Sequence, residues 1–430
     1  MAAIHEATEV FTPTGVPTLT YVYRQEQDLE SHLRAAVRTP GLVVSLSGPS
    51  KSGKTVLIRK VIAPEDLIPV SGASLVSAEE LWERVLSWME APSETTRRVS
   101  TTLGGEAGVR ATGSTGIPLI VKGEVEGAAK LTGSRLSETA EKFVRSAIDQ
   151  VVKDVANSTF VIFIDDFHYM PTDVQVTVAK QIKEVAEKGV KICVASVPHR
   201  ADDVVRSNPE LRGRVQAIDF SYWNDDDLRQ IPVQGFAALG MNIPSTFIDR
   251  LVREAFGSPQ LMQGMCLQTC FSLGVDRTNQ PPADFDVDET RALRILEMTS
   301  TTTDFSTLLE ALHAGPKSRG QDRKEYQFID GSAGDVYRCV LLAVRSDPPT
   351  LSLRYDEILL RAKAVCNGVT PVGSSLTEAL QQMNKLGDTV QPGAKVIEWE
   401  GDVLDIADPY FLFYLRCSAR LAKIRSPGAV

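Results

Sequence analysis

The sequence predicts an α/β protein: a parallel β-sheet covered by helices, then a cluster of helices, then a small unit of three helices and a two-stranded wing. Three observations carry this prediction. The apolar run Leu42-Val43-Val44-Ser45-Leu46 is followed by a Gly-rich loop and a helical stretch. A second apolar run, Phe160-Val161-Ile162-Phe163-Ile164, ends in two carboxylates, Asp165 and Asp166. Near the C-terminal end, Lys395-Val396-Ile397-Glu398-Trp399 and Val403-Leu404-Asp405-Ile406 flank Glu400-Gly401-Asp402, a hairpin signal that follows three helical stretches.

Composition bounds the function classes. A chain of 430 residues predicts two or three domains, and 43% hydrophobic with 23% charged residues is the balance of a soluble globular protein with a sizeable core. The opening residues Met1-Ala2-Ala3-Ile4-His5-Glu6 have neither the basic nor the apolar region of a signal peptide, and no run reaches 18 apolar residues. The six cysteines are scattered without metal-ligand spacing, which together with an opening unlike a signal peptide predicts a cytoplasmic protein with no membrane contact. A net charge of −9 argues against wholesale nucleic-acid binding and leaves a local basic patch open.

Residues 1–20 read as an irregular leader. Leu29, Leu33 and Val37 are spaced as on a helix, predicted over 25–38 and ending before Pro40. Tyr21 opens this segment. Its position suits either contact with a nucleotide base or ordinary packing. The next stretch holds the first chemistry. Gly48-Pro49-Ser50-Lys51-Ser52-Gly53-Lys54-Thr55 fits the pattern of Gly, four free positions, then Gly-Lys-Thr. Strand, Gly-rich loop and helix point successive backbone N–H groups at an anion. Gly48 and Gly53 bring the backbone close to phosphate, Lys54 reaches the terminal phosphates, and the Thr55 hydroxyl holds Mg²⁺. Residues 48–55, with Val56 at the start of the helix, are the expected nucleotide-binding set. The fold class is thus a parallel-sheet P-loop NTPase core.

Residues 66–70 predict a strand whose Pro69 places it at a sheet edge, and 79–89 predict its covering helix. Residues 92–134 are rich in Gly, Ser and Thr and read as an insertion, either a projecting hairpin or a loop. It serves either as a contact surface or as a tolerated insertion. A helix over 137–157 precedes the second chemical stretch. An apolar strand that ends in acids delivers them to the edge where open α/β sheets bind ligands. Asp165 is expected to hold Mg²⁺, and Asp166 to orient or deprotonate a water. His168 reads as a capped surface or half-buried histidine ahead of a sensor of nucleotide. A helix over 171–188 leads to the strand 190–196, which ends in Ser196, either a sensor of the terminal phosphate or a plain strand end. Arg212 and Arg214 precede the strand 215–220, where an arginine finger could project across a subunit interface.

Residues 21–275 resemble a P-loop ATPase of the AAA+/STAND group, especially its origin-recognition-like members. The residues that carry the likeness are Tyr21-Val22-Tyr23-Arg24-Gln25, the Gly-Pro-Ser-Lys-Ser-Gly-Lys-Thr loop, Ile164-Asp165-Asp166-Phe167-His168 and the Arg-rich turn before the last strand. The resemblance implies a core over 21–222 and a helical lid over 223–275, with helices at 225–239, 243–256 and 260–273. It implies that Pro259 of Gly257-Ser258-Pro259 packs near base and ribose. Gln260 stands where many relatives carry a second arginine sensor. Asp166 stands where most motors have Glu, which implies slow hydrolysis and a switch.

Residues 276–330 read as a linker with short helices at 289–298 and 305–313, polar and flexible around 315–323. Residues 331–430 are similar to a winged-helix domain, with helices at 335–346, 355–366, 375–386 and 408–421. This unit holds 11 Lys and Arg against 11 Asp and Glu, and its expected recognition helix offers only Lys385 as a cation. DNA binding is therefore less favoured than a structural or regulatory role. The nucleotide contact of the STAND winged helix is not carried over, because Ile406-Ala407-Asp408 lacks its histidine. Taken together, the expectation is an ATP- and Mg²⁺-dependent switch that hydrolyses slowly. It would oligomerise or engage a separate effector chain, as in bacterial defence. A DNA-binding ATPase of the origin-recognition or transposition-regulator type is the alternative, and a nucleotide-binding scaffold without turnover is a third.

Overall fold

A computed structural model describes residues 3–89, 147–197, 208, 211, 213–317, 323–391 and 396–424. The expected insertion at 92–134, His199, Arg200 and Arg212 lie outside these residues, as does the first part of the helix expected over 137–157. The chain divides into two compact units: Glu30–Ser47 with Ile58–Asp219, and Met1–Leu29 with Gly48–Leu57 and Phe220–Val430.

The first unit is built on five strands: β1 (Val43–Ser47), β2 (Leu67–Ser71), β3 (Val161–Asp165), β4 (Lys191–Ser196) and β5 (Val215–Asp219). All pair in parallel, in the order β2-β3-β4-β1-β5. The three inner strands are almost wholly buried and read as mainly apolar runs, as strands covered on both faces do, with Ser45 the one polar residue inside β1. Pro69 lies on β2, at the edge its missing N–H predicts. The helices Ala78–Trp88, 147–155 and Thr172–Glu187 bring Leu81, Trp82, Val85, Val151, Val178 and Ile182 onto Ile68, Ile162 and Ile192. Trp82 is fully buried and donates its indole N–H to Gln181 Oε1 at 2.7 Å. Because the strands are parallel, their C-terminal ends share one edge, with Ser71 beside Asp165 and Ser47 between Ser196 and Asp219.

The second unit has its own core. The lid helices run Asp225–Ala238, Ser245–Ala255 and Pro259–Leu273, close to the expected bounds. The first twenty residues are more than a leader. Ala7–Val10 is a short helix, and Ala7, Val10 and Phe11 are buried against the lid. The Phe11 ring meets Phe236 edge-on at 5.2 Å. Thr20 donates to the carbonyl of Val10 at 2.8 Å, and Gln263 donates to Thr20 at 2.8 Å while accepting from the Thr12 N–H at 3.1 Å. Three apolar residues are too few to show a period, so the sequence hid this packing. The helix expected over 25–38 starts at Leu29, because Asp28 sits at φ 41° and breaks the turn before it.

The linker is likewise packed. Glu289–Ser300 and Ser306–Ala314 bury Ile295, Leu308, Leu309 and Leu312 in the same core, and Phe305 meets Phe411 edge-on at 5.6 Å. The winged helix follows, with helices Val336–Arg345, Tyr355–Val365 and Gly373–Val390. Its wing strands Ile397–Glu400 and Val403–Ile406 are joined by Gly401 and Asp402 at φ 56° and 65°, the paired positive values of a tight two-residue hairpin. Ser352–Arg354 adds a third antiparallel strand, too short to be seen in the sequence. The helix Pro409–Cys417 closes the unit. Its Arg416 forms a bidentate pair with Glu254 of the lid, at 2.8 Å from both Nε and Nη2.

Candidate functional site: a phosphate-binding loop and an acidic strand edge

Gly48 follows directly on the last residue of β1. It has no room for a side chain, since a Cβ would lie 2.4 Å from Phe220 Cβ and 2.7 Å from the Phe220 carbonyl. Gly53 sits at φ 102° in open space. Lys51, between them, takes φ 63°. Positive φ values in so short a run are the backbone conformation from which a nest for an anion is built. Lys54 Nζ folds back onto the loop and donates to the carbonyls of Gly48 at 2.7 Å and Pro49 at 2.8 Å. Thr55 and Val56 lie in the first turn of the helix Lys54–Val61. Ser52 is 1% exposed, and its Oγ has no hydrogen-bond partner among the described residues. A buried hydroxyl left so costs about 1–3 kcal/mol, which a phosphate oxygen accepting from it would offset. The loop thus fits the phosphates of a nucleotide.

The lid is tied to this loop through Trp223. Its indole N–H donates to the Ser52 carbonyl at 3.0 Å, and its backbone N–H donates to the Gly257 carbonyl at 3.0 Å. Pro259 is the first residue of its helix, and Ser258 caps that helix by accepting from the Leu261 N–H. Tyr21 is half-buried in the non-helical segment ahead of Leu29. Arg24, three residues on, stacks over Phe220 at 5.3 Å and Trp223 at 4.9 Å. One further contact reaches the loop. Lys51 Nζ lies 3.0 and 2.8 Å from the two carboxylate oxygens of Asp408 and 4.1 Å from the centre of the Tyr410 ring. Ile406-Ala407-Asp408 lacks the histidine of the STAND contact, yet its aspartate meets the loop by another route, through Lys51.

The sheet edge holds the second set. Asp165 ends β3, and one of its oxygens accepts from the Asp166 backbone N–H at 3.0 Å. Asp166 adopts the left-handed conformation at φ 57°, ψ 37°, which aspartate tolerates better than most residues. Gly72, after β2, passes so close that a Cβ there would sit 2.7 Å from the Asp166 carbonyl. Ser196 ends β4 and is buried; beside it Ser47 donates to Asp219 Oδ1. His168 is half-buried, its ring 4.2 Å from that of Tyr169. Among the described residues no three His, Cys, Asp or Glu side chains group as a ready-made metal site. Arg214 stands at the other end of the sheet, before the first residue of β5, paired with Glu187.

No family profile matches the chain, and no curated protein does. Solved structures resemble it over nearly its whole length. Cdc6p from Pyrobaculum aerophilum is 14% identical with a TM-score of 0.44, covering 98% of this chain and 99% of its own. A Walker-type ATPase of Pyrococcus abyssi is 15% identical at 0.47, covering 93% and 99%. The Aeropyrum pernix ORC2 protein is 10% identical at 0.48, covering 96% and 98%.

The sequence missed Trp223, Asp219 and Asp408 as parts of these two sets. Trp223 was visible only as an aromatic just before the lid. Asp408 stands in a stretch that the resemblance points to, but its partner Lys51 is 357 residues away and nothing in the sequence joins the two. Among the described residues no helix is long and apolar enough to cross a membrane.

Proposed function

We propose that the chain is an ATP-binding switch of the AAA+/STAND type, with slow hydrolysis, that oligomerises or engages a separate effector protein when ATP is bound. The observation that carries this reading is the Gly-x4-Gly-Lys-Thr loop. It leaves a parallel strand, turns through Lys51 and Gly53 at positive φ, and holds an orphaned buried hydroxyl at Ser52. Lys54 would exchange the carbonyls of Gly48 and Pro49 for terminal phosphate oxygens. Thr55 and Asp165 would hold Mg²⁺, which neutralises charge on the phosphates. Asp166 would orient the attacking water, and Ser196 would sense the terminal phosphate from the neighbouring strand. Tyr21 and Pro259 would lie against the base, and Arg212 or Arg214 would act on a neighbouring subunit's nucleotide. Service in bacterial defence is part of this proposal and rests on family analogy alone.

The DNA-binding alternative gains nothing from the winged helix, where Lys385 is the one cation of the helix Gly373–Val390. The decisive experiment measures mass in solution with ADP and with a non-hydrolysable ATP analogue, with and without DNA. Assembly with the analogue alone supports the switch. Assembly that requires DNA selects the alternative. ATP uptake that survives Lys54→Ala overturns both. Uptake retained with turnover equal in wild type and Asp166→Asn points to a scaffold.

A further inference from the structure

We propose that Asp408 is an internal competitor for the phosphate cradle: it holds the Lys51 ammonium in place of a nucleotide phosphate and so sets how tightly a nucleoside triphosphate binds. The inference rests on the nucleotide reading above and names a residue outside the loop that tunes it.

Lys51 occupies a left-handed backbone position, where a residue with a side chain is strained. Strain of this kind persists only where the surroundings fix the side chain. Here both oxygens of Asp408 and the face of Tyr410 fix it, and the pair is mostly withdrawn from water, with 26% and 20% of the two side chains exposed. Such a pair is screened less than a surface one. Asp408 is itself immobile. It caps the helix Pro409–Cys417 by accepting from the Tyr410 N–H at 2.9 Å, and a carboxylate is favoured at that helix end. Its charge also reaches Tyr222, whose hydroxyl is pushed up chiefly by burial and further by Asp408 and Asp405. The far end of the same helix is fixed as well, since Arg416 grips Glu254 with 10% and 5% of the side chains exposed.

An arriving triphosphate places several negative charges in the loop that carries Lys51. The ammonium can face the phosphates or keep both contacts to Asp408, so the two anions compete for one cation. Lys51 would then change partners, and the helix Pro409–Cys417 would lose its hold on the cradle while keeping its hold on the lid. Coupling of this kind is reciprocal: whatever weakens the Lys51–Asp408 pair tightens the nucleotide.

The test uses Asp408→Asn in the full chain, because asparagine caps a helix as well as aspartate and removes only the charge. Titration with a non-hydrolysable ATP analogue and Mg²⁺ should show about tenfold tighter binding than wild type, with a smaller gain for ADP. In a Lys51→Met background the same substitution should change affinity by less than about twofold, since the partner is gone. Unchanged or weaker binding by Asp408→Asn overturns the proposal, and so does an equal gain in both backgrounds, which would place the effect outside Lys51. Should Asp408→Asn fail to fold by circular dichroism, Asp408→Ser keeps a cap without a charge and gives the same reading. Wild type and variant both failing to bind the analogue would sink the nucleotide reading itself, whereas binding by wild type with no gain in the variant sinks only the role of Asp408.

Discussion

Trp223 holds the loop and the lid at once: its indole N–H donates to Ser52, and its backbone N–H donates to Gly257, each at 3.0 Å. Replacing it with phenylalanine keeps a ring and removes the first bond alone. A hydrogen bond of this kind contributes about 1 kcal/mol, so Trp223→Phe should weaken ATP-analogue binding roughly fivefold by calorimetry. Thermal unfolding should move little, and unchanged affinity would show that the bond does not steady the loop.

The two loop glycines should respond unequally to alanine. At Gly48 the added methyl meets the Phe220 backbone, which cannot step aside cheaply. At Gly53 it meets nothing, and only the left-handed backbone costs, about 1–2 kcal/mol. Gly48→Ala should lower the melting temperature and abolish nucleotide uptake. Gly53→Ala should show the smaller loss of stability in the same two assays.

Arg416 and Glu254 form a desolvated pair, and Asp347 adds a third member at 2.8 Å. Arg416→Ala leaves the buried Glu254 with the exposed Arg253, 3.6 Å away, as its remaining cation, and should cost up to about 3–5 kcal/mol in denaturant unfolding. Arg416→Met combined with Glu254→Leu should recover most of that loss, because neither charge then remains. A double variant no better than the single one would mean that the arginine contributes mainly packing.

Arg214 pairs with Glu187 in the open, with 47% and 42% of the side chains exposed, so the pair itself stabilises by no more than about 1 kcal/mol. It also precedes β5, at the sheet end opposite to the one where β1 runs into the loop. Arg214→Ala should therefore bind nucleotide as wild type does. If the residue acts on a neighbour's nucleotide, turnover per chain should rise with protein concentration in wild type and stay flat in the variant.

His313 gives the winged-helix side of the molecule a pH response. Burial, and then the Arg338 guanidinium 3.2 Å from Nε2, hold its pKa below the usual histidine value. In the unfolded chain it titrates near 6.5, so acidification below about pH 6.5 protonates the unfolded state first and favours it. Stability should be full above that pH and decline as pH falls toward 5. The decline should be shallower in His313→Gln, measured as the denaturant midpoint against pH.

The parts that were legible in the sequence are those with short-range causes. Each inner strand announced itself as an apolar run, Pro69 marked an edge, and Gly401-Asp402 marked the hairpin. The loop at 48–55 was legible because its glycines and lysine are adjacent in the chain. What escaped had partners far away or signals too short to repeat. Asp408 meets Lys51 across most of the sequence, and Ser352–Arg354 is three residues long; the helices at 289–300 and 306–314 were legible as helices near 289–298 and 305–313, but their packing was not, because their flanks are polar. Asp28 cut off the polar start of the helix expected over 25–38, where no apolar spacing marks the chain and where spacing would in any case report faces and not backbone torsion.

Phe11 lies so close beneath Gly235 that a methyl there would overlap its ring at 2.2 Å. Aromatic ring and bare backbone fit as a peg fits a socket, and the peg belongs to a stretch that looks disposable on paper. A shortened version prepared for crystallisation by trimming the first score of residues would keep every phosphate-binding side chain in its loop. It would nonetheless leave a phenyl-sized void against the helix that follows Trp223, and any loss of ATP uptake in such a preparation would be misread as a fault in the loop itself.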